Sequence, residues 1–141
     1  MKKEKIVGNI DHLVMVVRSI EKAKPFFSEL LDMQFMDVEV SEEWGFRSVM
    51  SPSGVELLEP THPDSDAAKF IDKRGEGLYA LAFTVSDIDK ASAKVEKMGI
   101  RVVGSITFEK GPLKGTKEIW LHPKDNFGVY AMFAQGNPFH T

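Results

Sequence analysis

The chain has no cysteine among its 141 residues. That excludes a disulfide framework, a thiolate nucleophile and any cysteine-based zinc site. It also lacks a long apolar run, since no stretch approaches the ~20 residues needed to cross a bilayer, so no membrane partner is expected. There is no excess of positive charge: 18 Lys and Arg stand against 21 Asp and Glu, for a net charge of −3. A nucleic-acid partner, which favours a basic stripe, is not expected. The first residues, Met-Lys-Lys-Glu-Lys, are basic without the apolar stretch of a signal peptide, so a cytoplasmic location is expected. What remains is an ordinary globular composition, 43% hydrophobic and 28% charged, on a chain long enough to bury a core.

The strongest positive signal is an internal repeat. Ile-Asp-His-Leu-Val-Met-Val-Val-Arg-Ser-Ile-Glu-Lys-Ala at 10–23 lies over Leu-Tyr-Ala-Leu-Ala-Phe-Thr-Val-Ser-Asp-Ile-Asp-Lys-Ala at 78–91 without a gap. Each copy alternates as a strand, passes through a polar cap (Ser19 or Asp87) and opens a helix. Pro25 falls early in the first helix and must kink it or delay its start. In the first copy, further strands are expected at 34–40, 46–51 and 55–58, with Ser-Pro-Ser-Gly at 51–54 as a hairpin turn. A short helix is expected over 64–74. The second helix should end at Met98, with Gly99 after it, followed by strands near 100–103, 116–121 and 128–134 and a loop over 108–115. The expected organisation is α+β: a βαβββ module at 8–61, a connection at 62–77 and a second βαβββ module at 78–135.

Strand parity assigns faces. In the second module Leu81, Phe83 and Val85 form a heavy apolar face suited to packing on the helix. Leu78, Ala80, Ala82 and Thr84 lie on the lighter face, suited to the wall of a cavity, and by the same parity His12 looks into that cavity. The repeat fails where it matters chemically, because His12 is matched by Ala80.

Two βαβββ units, Ile-Asp-His at 10–12, Glu-Glu-Trp-Gly at 42–45, Val-Glu-Leu-Leu-Glu-Pro at 55–60, Gly-Glu-Gly-Leu at 75–78 and His-Pro-Lys at 122–124 resemble the vicinal oxygen chelate superfamily. This is the glyoxalase, bleomycin resistance protein and dioxygenase group, and the stretches look most like its methylmalonyl-CoA epimerases. The resemblance spans about 10–134. It implies an open eight-stranded cup, commonly in a homodimer, with a divalent metal held by one residue from each of four strands. Those positions fall here on His12, Glu56, Ala80 and Met132. The position of a proposed catalytic carboxylate in the epimerases falls on Ser48.

Two of the four ligand positions and the catalytic position therefore lack the expected group. His12 and Glu56 are metal ligands if a metal (Co, Ni, Zn or Mn) is bound at all, with the other donors supplied by water. Otherwise His12 hydrogen-bonds Glu56 or a ligand. His62, His122 and His140 are the remaining imidazoles, and His122 sits in a His-Pro turn where the family has a structural histidine. A metal-free pair is also conceivable, with Glu56 as base and His12 as acid or orienter, while the Ser48 hydroxyl would need its own activating base. Ligand contact is expected from His12, Ser48, Met50, Glu56, Ala80, Met132 and Trp120. Trp44, Phe46 and Trp120 are either mouth aromatics or ordinary core. Lys110, Lys114, Lys117 and Lys124 either receive phosphates of a CoA-like ligand or stand in solvent, balanced by Glu109, Glu118 and Asp125.

The functional expectation is a protein that binds a small apolar or acyl-CoA-like ligand without the family's metal chemistry and without a cofactor. The alternative is a metal-dependent methylmalonyl-CoA epimerase or a glyoxalase-type isomerase or lyase. Whether the chain is an enzyme is left open, as is a surface role with a protein partner.

Overall fold

The computed structural model describes residues 4–111 and 113–138. In chain order the elements are β1 (Val7–Val16), α1 (Ile20–Leu30), β2 (Glu39–Ser41), β3 (Phe46–Ser51), β4 (Val55–Pro60), α2 (Asp66–Arg74), β5 (Gly77–Val85), α3 (Ile88–Lys97), β6 (Val102–Thr107), β7 (Lys117–Leu121) and β8 (Ala131–Gln135), with a 3-10 turn at Pro123–Asp125 before β8. They form two compact units. A central unit comprises His12–Tyr79, and a terminal unit comprises the residues up to Asp11 together with those from Ala80 onward.

In the central unit β2 and β3 pair antiparallel, as do β3 and β4, and β4 lies parallel to β1. The β3–β4 hairpin closes where Gly54 donates its N–H to the Ser51 carbonyl. Leu13, Met15 and Val17 from β1 and its end, with Val49, Val55 and Leu57, pack against Ile20, Ala23 and Phe27 of α1. Alternation on a half-buried strand dictates this partition. Ser19 caps α1 by accepting from the Lys22 N–H at 3.3 Å. The helix starts at Ile20 in spite of Pro25, which is incorporated within it. Arg47 fastens the helix start to the sheet, reaching Glu21 at 2.8 Å and Glu59 at 3.2 Å, while Glu59 also accepts from the Ile20 N–H.

The terminal unit follows the same order. β5 lies parallel to β8, and β7 pairs antiparallel with both β8 and β6. Phe83, Val85, Ile119, Leu121, Ala131 and Phe133 pack against Ile88, Ala91 and Val95 of α3. Asp87 caps α3 by accepting from the Asp89 and Lys90 N–H groups.

Three strands differ from the sequence expectation by more than two residues at an end. β2 is confined to Glu39–Ser41 because Met33 and Phe35 turn into the α1 core and only the Met36 N–H reaches β3, at the Met50 carbonyl. β6 runs later, over Val102–Thr107, because Ile100 packs beneath α3 and β7 extends the ladder to a Thr107–Lys117 pair. β8 starts at Ala131 because Gly128 and Val129 still bond back to Pro123 and Asn126 in the preceding turn.

Candidate functional site

In the central unit, the sheet face turned away from the α1 core is built in register. Val14, Glu56 and Met50 form one row across β1, β4 and β3. Val16, Leu58, Ser48 and Glu39 form the next, extended to β2. His12 lies two residues before Val14 on the same face of β1. Its Nε2 stands 3.8 Å from Glu56 Oε2, with the imidazole fully buried and the carboxylate 15% exposed. Strand order thus brings together four of the residues expected from the sequence: His12, Ser48, Met50 and Glu56.

One member of this face was not singled out in the sequence. Glu39 stands directly across from Ser48, so the two side chains leave the sheet on the same side with Cβ atoms about 5 Å apart. Its Oε1 is buried and has no hydrogen-bond partner among the described residues. Desolvation raises its pKa above the ordinary glutamate value. The signal was present in the Glu-Glu-Trp-Gly turn, since counting back across that hairpin places 39 opposite 48. The turn itself depends on Gly45, whose φ of +69° suits glycine and whose Cα faces His62 and Ser65 so closely that a Cβ there would lie 3.1 and 3.2 Å from their Cβ atoms.

In the terminal unit the corresponding face carries Ala82, Met132, Trp120 and Gly104 in one row, and Thr84, Ala134, Glu118 and Ile106 in the next. Ala80 precedes Ala82 on the same face of β5. Ala80, Ala82, Met132, Ala134 and Trp120 are all buried. Glu118, expected as a solvated counter-charge, is instead a buried carboxylate at 8% exposure, because its position in β7 faces away from the Ile119 and Leu121 side. Asp11, the neighbour of His12 in sequence, points the other way and accepts a hydrogen bond from buried Asn137 at 3.0 Å.

The other imidazoles have different tasks or positions. His122 caps the 3-10 turn, its Nδ1 accepting from the Lys124 N–H at 3.1 Å. His62 lies in an exposed loop, and His140 lies outside the described residues. Among the described residues, no group of three or more His, Cys, Asp or Glu side chains gathers in a way that could hold a metal ion. Trp44 and Phe46 are half-buried, while Lys110, Lys114, Lys117 and Lys124 are exposed. Asp125 is committed to Arg101, which grips it through Nε at 2.8 Å and through Nη2 at 2.9 Å. That pairing holds the Asp125 carboxyl well below the usual range. No helix among the described residues is long and apolar enough to cross a membrane.

This architecture is matched by known proteins. Residues 11–118 match the glyoxalase/bleomycin resistance protein/dioxygenase superfamily, and the chain belongs to it. Its fold is therefore the α+β fold of that superfamily, built from two βαβββ modules with eight strands. Human mitochondrial methylmalonyl-CoA epimerase is 30% identical over 133 residues, covering 92% of this chain and 74% of that protein. A point variant of methylmalonyl-CoA epimerase from Streptomyces coelicolor in complex with 2-nitronate-propionyl-CoA superimposes with a TM-score of 0.82 at 28% identity, over 96% of this chain and 99% of that one. A methylmalonyl-CoA epimerase in complex with methylmalonyl-CoA and NH4+ gives 0.82 at 28% identity, over 97% and 99%.

Proposed function

We propose that the protein binds an acyl-CoA-type thioester and transfers the proton on the carbon next to the thioester carbonyl, an epimerase-type activity run without a divalent metal. The observation that supports this reading most is its similarity, over 97% of the chain, to an epimerase in complex with methylmalonyl-CoA. The central-unit face adds the chemistry. The buried His12 imidazole and the partly buried Glu56 carboxylate stand 3.8 Å apart, a donor and a base side by side. Removing the α-proton sends the C–H electron pair into the thioester carbonyl. A donor at the developing oxyanion lowers that barrier, and an imidazole N–H at His12 is suited to this role. Returning a proton to the opposite side of the carbon inverts it. Ser48 and Met50 lie on the same face as the pair.

The donor set does not fit the four-ligand metal of the resemblance. His12 and Glu56 offer nitrogen and oxygen, but Ala80 has no ligating atom and the Met132 thioether is a soft donor, poorly matched to hard or borderline divalent ions. In this reading the protein is a cytoplasmic homodimer, a state checked by light scattering of the purified chain.

The test is α-proton exchange of methylmalonyl-CoA in D2O, followed by mass spectrometry with and without chelator. Exchange that survives chelation is expected, together with loss of most of it in Glu56→Gln. Exchange that vanishes with chelator and returns with Co²⁺ would replace this reading with the metal-dependent one.

A further inference from the structure

We infer that Glu39 is the general base of this site, the group that takes the α-proton, while Glu56 holds and polarises His12. The inference deepens the epimerase-type reading and rests on it. Among the described residues, the central-unit face turned away from the α1 core carries two carboxylates, Glu56 and Glu39. Glu56 is engaged with the buried His12 imidazole. Glu39 has a buried oxygen, Oε1, with no hydrogen-bond partner among the described residues. A desolvated carboxylate is a stronger base than a hydrated one, and its raised pKa brings proton transfer closer to neutral pH.

Position supports the same assignment. Ser48, across from Glu39 in the β2–β3 ladder, has a hydroxyl that cannot abstract a carbon-bound proton without its own base. Glu39 supplies a carboxylate to the same patch from the adjacent strand. It lies two strands away from Leu58, which is two residues along β4 from Glu56. Strand spacing and rise put the Glu39 and Glu56 Cα atoms about 12 Å apart, so the two side chains can flank a small acyl group held between them. The balance is simple: Glu39 gains the proton, the C–H pair becomes the enolate π bond, and the thioester oxygen takes the charge facing His12. Holding Glu39 Oε1 away from water without a hydrogen-bond partner among the described residues is a cost to folding.

The experiment compares Glu39→Gln, Glu39→Asp and Glu39→Gln with Ser48→Glu in the α-proton exchange assay, with propionyl-CoA affinity measured by calorimetry. Glu39→Gln should lower exchange by about 100-fold or more, the usual scale for a general base, with propionyl-CoA binding retained. Adding Ser48→Glu should restore part of the exchange, because it returns a carboxylate to the same face from the facing position. Glu39→Asp, the smallest change, should keep the pH dependence of the wild type at a reduced rate. Wild-type exchange rates in both Glu39→Gln and Glu39→Asp would overturn the assignment and leave the epimerase-type reading standing. Wild-type protein that binds propionyl-CoA but exchanges no α-proton would overturn that reading itself.

Discussion

The two units share one plan but use it differently. In each, the first strand of a βαβββ module lies parallel to the last, and a capped helix covers one face. Laying the rows over one another by the repeat makes the positions correspond: His12 with Ala80, Glu56 with Met132, Met50 with Trp120, Ser48 with Glu118 and Glu39 with Ile106. The central unit keeps imidazole, carboxylates and hydroxyl on this face. The terminal unit keeps a methyl, a thioether and an indole, and its one carboxylate sits where the central unit has serine. Duplication preserved the backbone pairing, which every residue in the ladder enforces, while the side chains of the face turned away from the helix diverged. Apart from Glu118, the ionisable side chains at these positions are thus concentrated in the central unit.

The most drastic way to break that asymmetry is to put donors back into the terminal unit. Ala80→His with Met132→Glu supplies the two ligands that the resemblance assigns there. Stoichiometric Co²⁺ or Ni²⁺ binding is expected in the double variant, read by calorimetry and by a metal-dependent rise in Tm. A folded double variant that binds no metal would mean that the four positions carried over from the family are misassigned.

A smaller effect compares the two helix caps. Asp87 accepts from two N–H groups at 2.9 and 3.1 Å, whereas Ser19 accepts from one at 3.3 Å. Asp87 is also a negative charge at the positive end of its helix. Asp87→Ala should cost about 1–2 kcal/mol and Ser19→Ala about 0.5–1 kcal/mol, measured by urea denaturation. Equal losses would show that cap geometry does not distinguish the modules.

Most of the architecture was legible because strand parity and caps are local. β3 was read with its observed bounds, and Ser19, Asp87 and Gly99 were each placed at their helix ends. The strand ends that failed, in β2, β6 and β8, depend on which neighbour supplies the ladder, a tertiary fact with no local signature. His12, Ser48, Met50 and Glu56 were found through alternation and resemblance. Glu39 and Glu118 were missed for opposite reasons. Glu39 fell inside the expected strand 34–40, and only the hairpin register pairs it with Ser48. Glu118 lay on the expected strand 116–121 but was counted as a charge balancing the lysines, whereas β7's alternation turns it away from the α3 core and buries it.

The smallest expected effect separates the two glutamates through pH. Burial raises the folded-state pKa of Glu39 above its unfolded value, so its carboxylate is penalised in the folded chain. Below the unfolded value near 4.5 both states hold the proton and the penalty is absent. As pH rises through the folded value the penalty reaches its full size, since the unfolded chain has already released the proton. Glu39→Gln removes a titratable group while keeping the shape, so at neutral pH it should be slightly more stable than the wild type. That difference should shrink to nothing as pH falls below the unfolded value. Glu56→Gln should behave in the opposite sense at neutral pH, because it takes the carboxylate away from a buried imidazole that stands 3.8 Å from it. Tm measured against pH for both variants resolves the signs. A Glu39→Gln protein that is less stable than wild type at neutral pH would show that Glu39 serves the fold, whereas added stability in a variant without proton exchange is the signature of a carboxylate held for chemistry at the expense of folding.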